Sequence, residues 1–275
     1  MVRRLWVLSL CVLSFFSYGK ETLRIVYYDS FPPYSYINAA GEMEGILVDI
    51  AREVLEKQMN LDVSHEGYPW SRAQRMVFNG QADAFITVPT PERLKYVNAA
   101  KEPVFSTPIN LFTYKNHLHL NKLEQVSNIE DLKEFVILDY VGNGWGNENF
   151  PQESYTRIIE SDLSIALQML AKKKGDVVAV DKVVAEFLLS KHDRRNLITE
   201  LPVTLTVVPF ALCISKASQF ATILEEFSEQ VLAFRQQGGE REILAKYKYR
   251  HTPFDPLAAR GFFHGRLSSV KTVTA

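Results

Sequence analysis

The sequence predicts an α/β fold in two lobes. Three observations carry that reading. Strand-like runs rich in Val, Ile and Tyr alternate with helical patterns, the signature of units built on a mainly parallel sheet. About 255 residues would follow the leader read below, more than one ordinary domain holds. The two halves also echo each other. Asn79-Gly80-Gln81-Ala82-Asp83-Ala84-Phe85-Ile86 runs toward Thr87 and Arg93, and Lys174-Gly175-Asp176-Val177-Val178-Ala179-Val180 runs into Asp181. One half thus offers a cation and the other an anion, as a cleft gripping a small zwitterion requires, although two ordinary helix-strand units would read the same way.

In order, residues 23–28 read as the first strand and 46–58 as an amphipathic helix with Ile46, Ile50, Val54 and Leu55 on one face. A strand is expected at 61–65. Ser71 followed by Gln74 has the spacing of a capping box, opening a helix through Phe78. Residues 82–87 form the next strand, and 110–115 an extended crossover. Beyond it come a helix after the cap candidate Asn128, strands at 135–138 and 157–159, a helix at 163–173, a strand at 177–180 and a helix at 182–190. An extended run at 201–208 carries the chain back to a strand at 210–215 and a helix at 219–235. The expected division is 20–113 plus 207–249 for the first lobe, 114–206 for the second, and 250–275 as a tail. Two crossovers between two lobes make a hinge.

The first nineteen residues read as a secretory signal. Arg3 and Arg4 precede an apolar stretch at 5–16, and Ser17-Tyr18-Gly19 supplies small residues for cleavage near Gly19 and Lys20. That stretch is shorter than the roughly 20 residues of a membrane span. Export to the periplasm is therefore expected. Leu10 before Cys11 argues against a lipid anchor. Loss of the signal leaves Cys213 as a single thiol in an apolar run, so no internal disulfide is possible and a buried, inert thiol is expected. The formal charge of −1 falls by two without Arg3 and Arg4, which points to no nucleic-acid partner. The basic run from Lys246 onward reads as a solvated tail.

Four segments carry a family resemblance. They are Phe31-Pro32-Pro33-Tyr34; Gly45-Ile46-Leu47-Val48-Asp49-Ile50; Gly80-Gln81-Ala82-Asp83-Ala84 leading to Thr90-Pro91-Glu92-Arg93; and Gly238-Gly239 before Ile243-Leu244-Ala245-Lys246-Tyr247. Their order and spacing resemble the bacterial extracellular solute-binding proteins of family 3, which serve polar amino-acid uptake. The resemblance covers residues 22 to about 247 and implies a two-lobed periplasmic-binding-protein (Venus-flytrap) fold. Leu47 departs from it, standing where the family has an acid.

Thr90 suits the cap of a helix whose first position is Pro91, which sets free N–H groups and the positive helix end beside the Arg93 guanidinium. Such a group suits a carboxylate held by two charge-assisted hydrogen bonds, and the resemblance implies that role; a surface arginine is the bland alternative. Asp181 opens a helix, which fits an N-cap, and the resemblance makes it the acid that meets a ligand ammonium. Trp70, Phe31 and Tyr34 are cleft-lining aromatics by the resemblance, or core packing. Arg72 offers a second cation or a solvated helix residue. The loop Gly142-Asn143-Gly144-Trp145-Gly146 brings backbone N–H groups close to a ligand, or is a plain turn. Val88 stands where amino-acid binders place a hydroxyl; Thr87 and Thr90 compensate, or the ligand is another small carboxylate or amine.

The expected function is non-enzymatic capture of a small polar solute by a monomer whose closed form is read by a membrane permease or a sensor. A dehydratase-like enzyme on the same scaffold is the alternative, with Asp29, Glu44 and Asp139 as its available acids. No cofactor motif is present, and His117-Leu118-His119 is too sparse for a metal site.

Overall fold

A parallel ribbon of three strands forms the spine of the first lobe, and two long antiparallel strands tie it to the second. The computed structural model describes residues 21–191 and 196–247. The expected signal peptide and the tail at 250–275 lie outside the described residues.

The chain opens with β1 (Thr22–Tyr28), followed by the small antiparallel sheet of β2 (Ser30–Phe31), β3 (Ser35–Ile37) and β4 (Met43–Glu44). Helix α1 (Ile46–Ala51) runs on as a π-helical turn over Arg52–Gln58. Ile46, Ile50, Val54 and Leu55 are all fully buried, the face that their spacing predicts. Then come β5 (Asp62–Tyr68), α2 (Trp70–Phe78), β6 (Ala84–Thr87), α3 (Pro91–Leu94), β7 (Val97–Ala99) and β8 (Phe105–Tyr114). The second lobe holds α4 (Leu120–Leu123), a 3-10 turn at Ile129–Leu132, β9 (Ile137–Tyr140), α5 (Gly144–Asn149), β10 (Arg157–Glu160), α6 (Leu163–Ala171), β11 (Val178–Asp181) and α7 (Lys182–Lys191). The chain returns through β12 (Ile198–Ser215) and ends in a 3-10 turn at Gln219–Ile223, α8 (Leu224–Gln236) and α9 (Gly239–Lys246).

The main sheet has the order β11-β8-β12-β6-β1-β5, with β7 also paired to β12. β1, β5 and β6 are mutually parallel, as are β9 and β10. Every pairing that involves β8 or β12 is antiparallel, so the sheet is mixed rather than mainly parallel. The two extended runs expected at 201–208 and 210–215 are one strand. Pro209 does not break it, because there β12 has β8 alone beside it and pairing with β6 begins only at Ala211.

The echo between the halves is a shared structural device. Asp83 donates its N–H to the Arg24 carbonyl (3.0 Å) and accepts the Arg24 N–H on Oδ2 (2.9 Å). Asp176 does the same with Val136, at 2.8 and 2.7 Å. In each lobe an aspartate thus ties the turn after a helix to the chain at the start of a neighbouring strand. Asp49 anchors the C-terminal helix, accepting from the Tyr247 hydroxyl (2.9 Å) and pairing with Lys246 (2.6 Å). Cys213 is fully buried, and burial pushes its thiol up to about 12. Among the described residues no helix is long and apolar enough to cross a membrane.

Candidate functional site

Arg93 is the centre of the site. Thr90 takes an extended conformation as the N-cap of α3, Pro91 fills the first position, and the Thr90 hydroxyl accepts the Arg93 N–H at 3.5 Å. This turns the side chain inward, where it is only 4% exposed. Its Nε donates to Gln74 Oε1 (3.0 Å), Nη1 to the Val88 carbonyl (2.8 Å) and Nη2 to the Gly142 carbonyl (3.1 Å). The guanidinium also lies 5.3 Å from the centre of the Trp70 ring.

All three acceptors are neutral. Among the described residues no acid pairs with Arg93, and burial lowers its pKa to about 10, with Cys213 and Tyr140 pulling weakly the other way. It remains a cation at neutral pH. A buried cation with neutral acceptors alone is costly, and an anion offered to it is correspondingly favoured.

Arg93 opens onto a cavity of about 60 Å³ between the lobes. The first lobe contributes Tyr28, Phe31, Ser35, Leu47, Trp70, Ile86, Thr87 and Val88 to its wall. The second contributes Tyr140, Asn143 and Trp145, and β12 contributes Phe210. That volume is small beside the several hundred Å³ usual for a ligand pocket. The lobes touch across the cleft. Tyr28 stacks on Tyr140 across it with centroids 6.3 Å apart, and the Gly142 carbonyl accepts from Trp70 Nε1 (2.9 Å) and Gln74 Nε2 (3.2 Å) as well as Arg93.

The glycine loop fits against Arg93 because its glycines lack side chains. A Cβ on Gly144 would stand 2.9 Å from Arg93 Cζ, and one on Gly142 2.8 Å from Gln74 Nε2. Gly142 also has a φ of +88°, which favours glycine. A buried ion pair supports the loop from behind. Arg157 meets Asp139 at 2.6 Å, Asp139 accepts from Asn143 Nδ2 (2.8 Å), and Asn143 caps α5 by accepting the Gly146 N–H (3.1 Å). Burial pushes the Asp139 carboxyl up, with Asn143 and Arg157 acting the other way.

Of the residues expected at the site, Arg93, Trp70, Phe31, Thr87, Val88, Asn143 and Trp145 line the cavity, and Gly144 packs on the guanidinium. Tyr34 lies fully buried behind Phe31 and Phe210, at 5.6 and 5.7 Å between ring centres, and its hydroxyl donates to Thr107 (3.1 Å). Arg72 is exposed and stacks on the Tyr68 ring at 4.6 Å. Asp181 caps α7, its Oδ1 accepting the N–H groups of Val183 and Val184 at 2.9 Å and its Oδ2 accepting from Thr107. Neither Tyr34, Arg72 nor Asp181 lines the cavity.

The sequence reading does not anticipate Tyr28, Gln74, Tyr140 or Phe210 in the site. The capping box expected of Ser71 and Gln74 is not formed, because α2 starts at Trp70 behind Pro69 and carries no side-chain cap. Gln74 instead faces inward to Arg93. Asp29, Glu44 and Asp139, the acids available to an enzyme, do not line the cavity either. His117 pairs with Asp176 at 2.9 Å, and the described residues contain no cluster of three metal-ligating side chains.

No curated protein sequence matches the chain. Solved structures do. A histidine kinase sensor domain with similarity to periplasmic binding proteins superposes with a TM-score of 0.71 at 19% identity, covering 82% of this chain and 95% of that one. An ancestral arginine-binding protein bound to glutamine gives 0.66 at 20% identity, covering 83% and 98%. The substrate-binding protein of an amino acid ABC transporter gives 0.65 at 17% identity, covering 84% and 100%. At these identities the likeness carries the two-lobed fold. The family model for bacterial extracellular solute-binding proteins, family 3, matches residues 23–249, nearly everything the structure describes, and the chain belongs to that family.

Proposed function

We propose that the protein captures a small polar solute carrying a carboxylate, an amino acid or a related acid, in the cleft between its lobes. The observation that supports this most is Arg93, a buried cation with neutral partners facing an interlobe cavity. The ligand's carboxylate replaces the Gly142 and Val88 carbonyls as its acceptor and exchanges neutral hydrogen bonds for charge-assisted ones. The lobes part to admit the ligand and close again around it. The resulting shift toward the closed form is limited by the ligand's preference for that form.

The reader of the closed state is a membrane permease of the ABC type or a sensor. The transporter-associated neighbour supports the first and the kinase sensor domain the second. Both readings place the protein outside the cytoplasmic membrane as a monomer.

Thermal unfolding against a panel of amino acids, polyamines and small carboxylates tests the reading. A ligand at 100 times its Kd raises native stability by about 2.7 kcal/mol. A carboxylate that raises Tm and is recovered unchanged supports capture without turnover; a flat response across all acids and amino acids would remove the proposal.

A further inference from the structure

The cavity wall provides for one charge and no more. Among the lining residues Arg93 alone is charged, and the remaining wall is aromatic or aliphatic apart from Ser35, Thr87, Asn143 and the ring hydroxyls. A zwitterion needs a second, anionic contact for its ammonium group. The acids around this wall are committed elsewhere: Asp162, whose charge reaches the Tyr28 hydroxyl, caps α6 by accepting the Ile165 N–H at 2.9 Å.

Asp181 is 3% exposed, and its two oxygens are taken by Thr107 and the Val183 and Val184 N–H groups. It also lies behind the wall. Phe31 and Phe210 face the cavity, Tyr34 packs behind both, and the Tyr34 hydroxyl reaches the Thr107 that binds Asp181. Asp139 is 4% exposed and held by Arg157, Asn143 and the Tyr140 N–H. Freeing either carboxylate would strip a helix cap or break a buried ion pair, which leaves an uncompensated buried charge.

Building on the proposed capture of a carboxylate by Arg93, we infer that the preferred ligand is a monocarboxylate with an uncharged, flat or branched apolar body and no ammonium group. The carboxylate meets Arg93, and the body lies against Tyr28, Trp70, Tyr140 and Phe210. Buried against these rings, an α-ammonium would lose its hydration and meet only aromatic faces and neutral carbonyls. Aromatic faces do attract cations, but here Arg93 already occupies the Trp70 face and repels a second positive charge.

Calorimetric titration with matched pairs tests this. The probes are propionate against L-alanine, 4-methylpentanoate against L-leucine, and 3-phenylpropionate against L-phenylalanine, each pair differing only by the α-ammonium. The expected result is at least one pair in which the acid binds 10-fold or more tightly than its amino acid. Equal or tighter binding of the amino acids overturns the inference and leaves capture by Arg93 standing. Failure of every acid to bind also overturns it, and if the wider panel of amino acids is silent too, the capture reading falls with it.

Discussion

Arg93 and Gly142 stand on opposite lobes and meet across the cleft, the guanidinium Nη2 donating to the glycine carbonyl at 3.1 Å. Trp70 and Gln74 donate to the same carbonyl. One peptide oxygen therefore ties the second lobe to three side chains of the first, at the point where a ligand anion would have to enter.

Replacing Trp70 by Phe removes one of these donors and keeps the ring. The expected effect is about 5-fold weaker ligand binding, corresponding to about 1 kcal/mol for one neutral hydrogen bond. Intrinsic fluorescence reads it directly, since the sequence has three tryptophans and Trp70 and Trp145 both line the cavity. Wild-type emission should change on binding, with part of that change lost in the variant.

Gly144→Ala tests the closeness of the loop to Arg93. The added Cβ would stand 2.9 Å from Cζ, so the loop has to lift off the guanidinium, an overpacking cost of about 1–3 kcal/mol. Affinity for a carboxylate should fall about 10-fold, with a modest change in the urea midpoint. Unaltered binding would mean that the loop does not press on Arg93 in the ligand-bound state.

Asp83→Ala and Asp176→Ala should each destabilise their lobe by about 1–3 kcal/mol, since each leaves a strand-leading N–H without its acceptor. The two losses should be similar, because each aspartate makes one further side-chain bond, Asp176 with His117 at 2.9 Å and Asp83 with the Ser218 hydroxyl at 2.6 Å. Urea unfolding of both variants gives the comparison.

Arg157→Gln removes the partner that holds the buried Asp139 carboxylate. Burial already pushes Asp139 up, and the variant pushes it further. A carboxyl whose folded pKa is raised binds more protons folded than unfolded, so stability falls as pH rises from the usual carboxylate range toward neutrality. Urea midpoints at pH 4.5 and 7.5 should therefore differ more in the variant than in wild type, with the loss at pH 7.5 on the order of 3–5 kcal/mol.

Much of this was legible because it depends on local chain chemistry. Thr90-Pro91 at a helix start fixes where Arg93 points, and the apolar spacing of Ile46, Ile50, Val54 and Leu55 fixes the buried face of α1. The repeated aspartates, Asp83 and Asp176, give the two halves their echo because both bind backbone in the same way. The aromatic turn yielded one wall residue, Phe31, and one core residue, Tyr34, because neighbours along a tight turn face different ways. Tyr140 and Phe210 are not legible in the sequence because they come from the second lobe and the returning strand, and only the two long crossings at β8 and β12 bring them into one wall with Trp70. Gln74 was hidden by its spacing from Ser71, which imitates a cap that Pro69 makes unnecessary.

The most direct test of Arg93 as the anion anchor is calorimetric titration of 4-methylpentanoate and L-leucine into the wild type and Arg93→Gln. Glutamine keeps hydrogen-bonding capacity and removes the charge. Two charge-assisted hydrogen bonds contribute roughly 1.5–3 kcal/mol each, so the variant should bind whichever of the two the wild type binds more tightly about 100-fold or more weakly while unfolding at a similar temperature. Equal affinity in the two proteins would show that the buried cation does not hold the ligand, and the account of the site would be wrong.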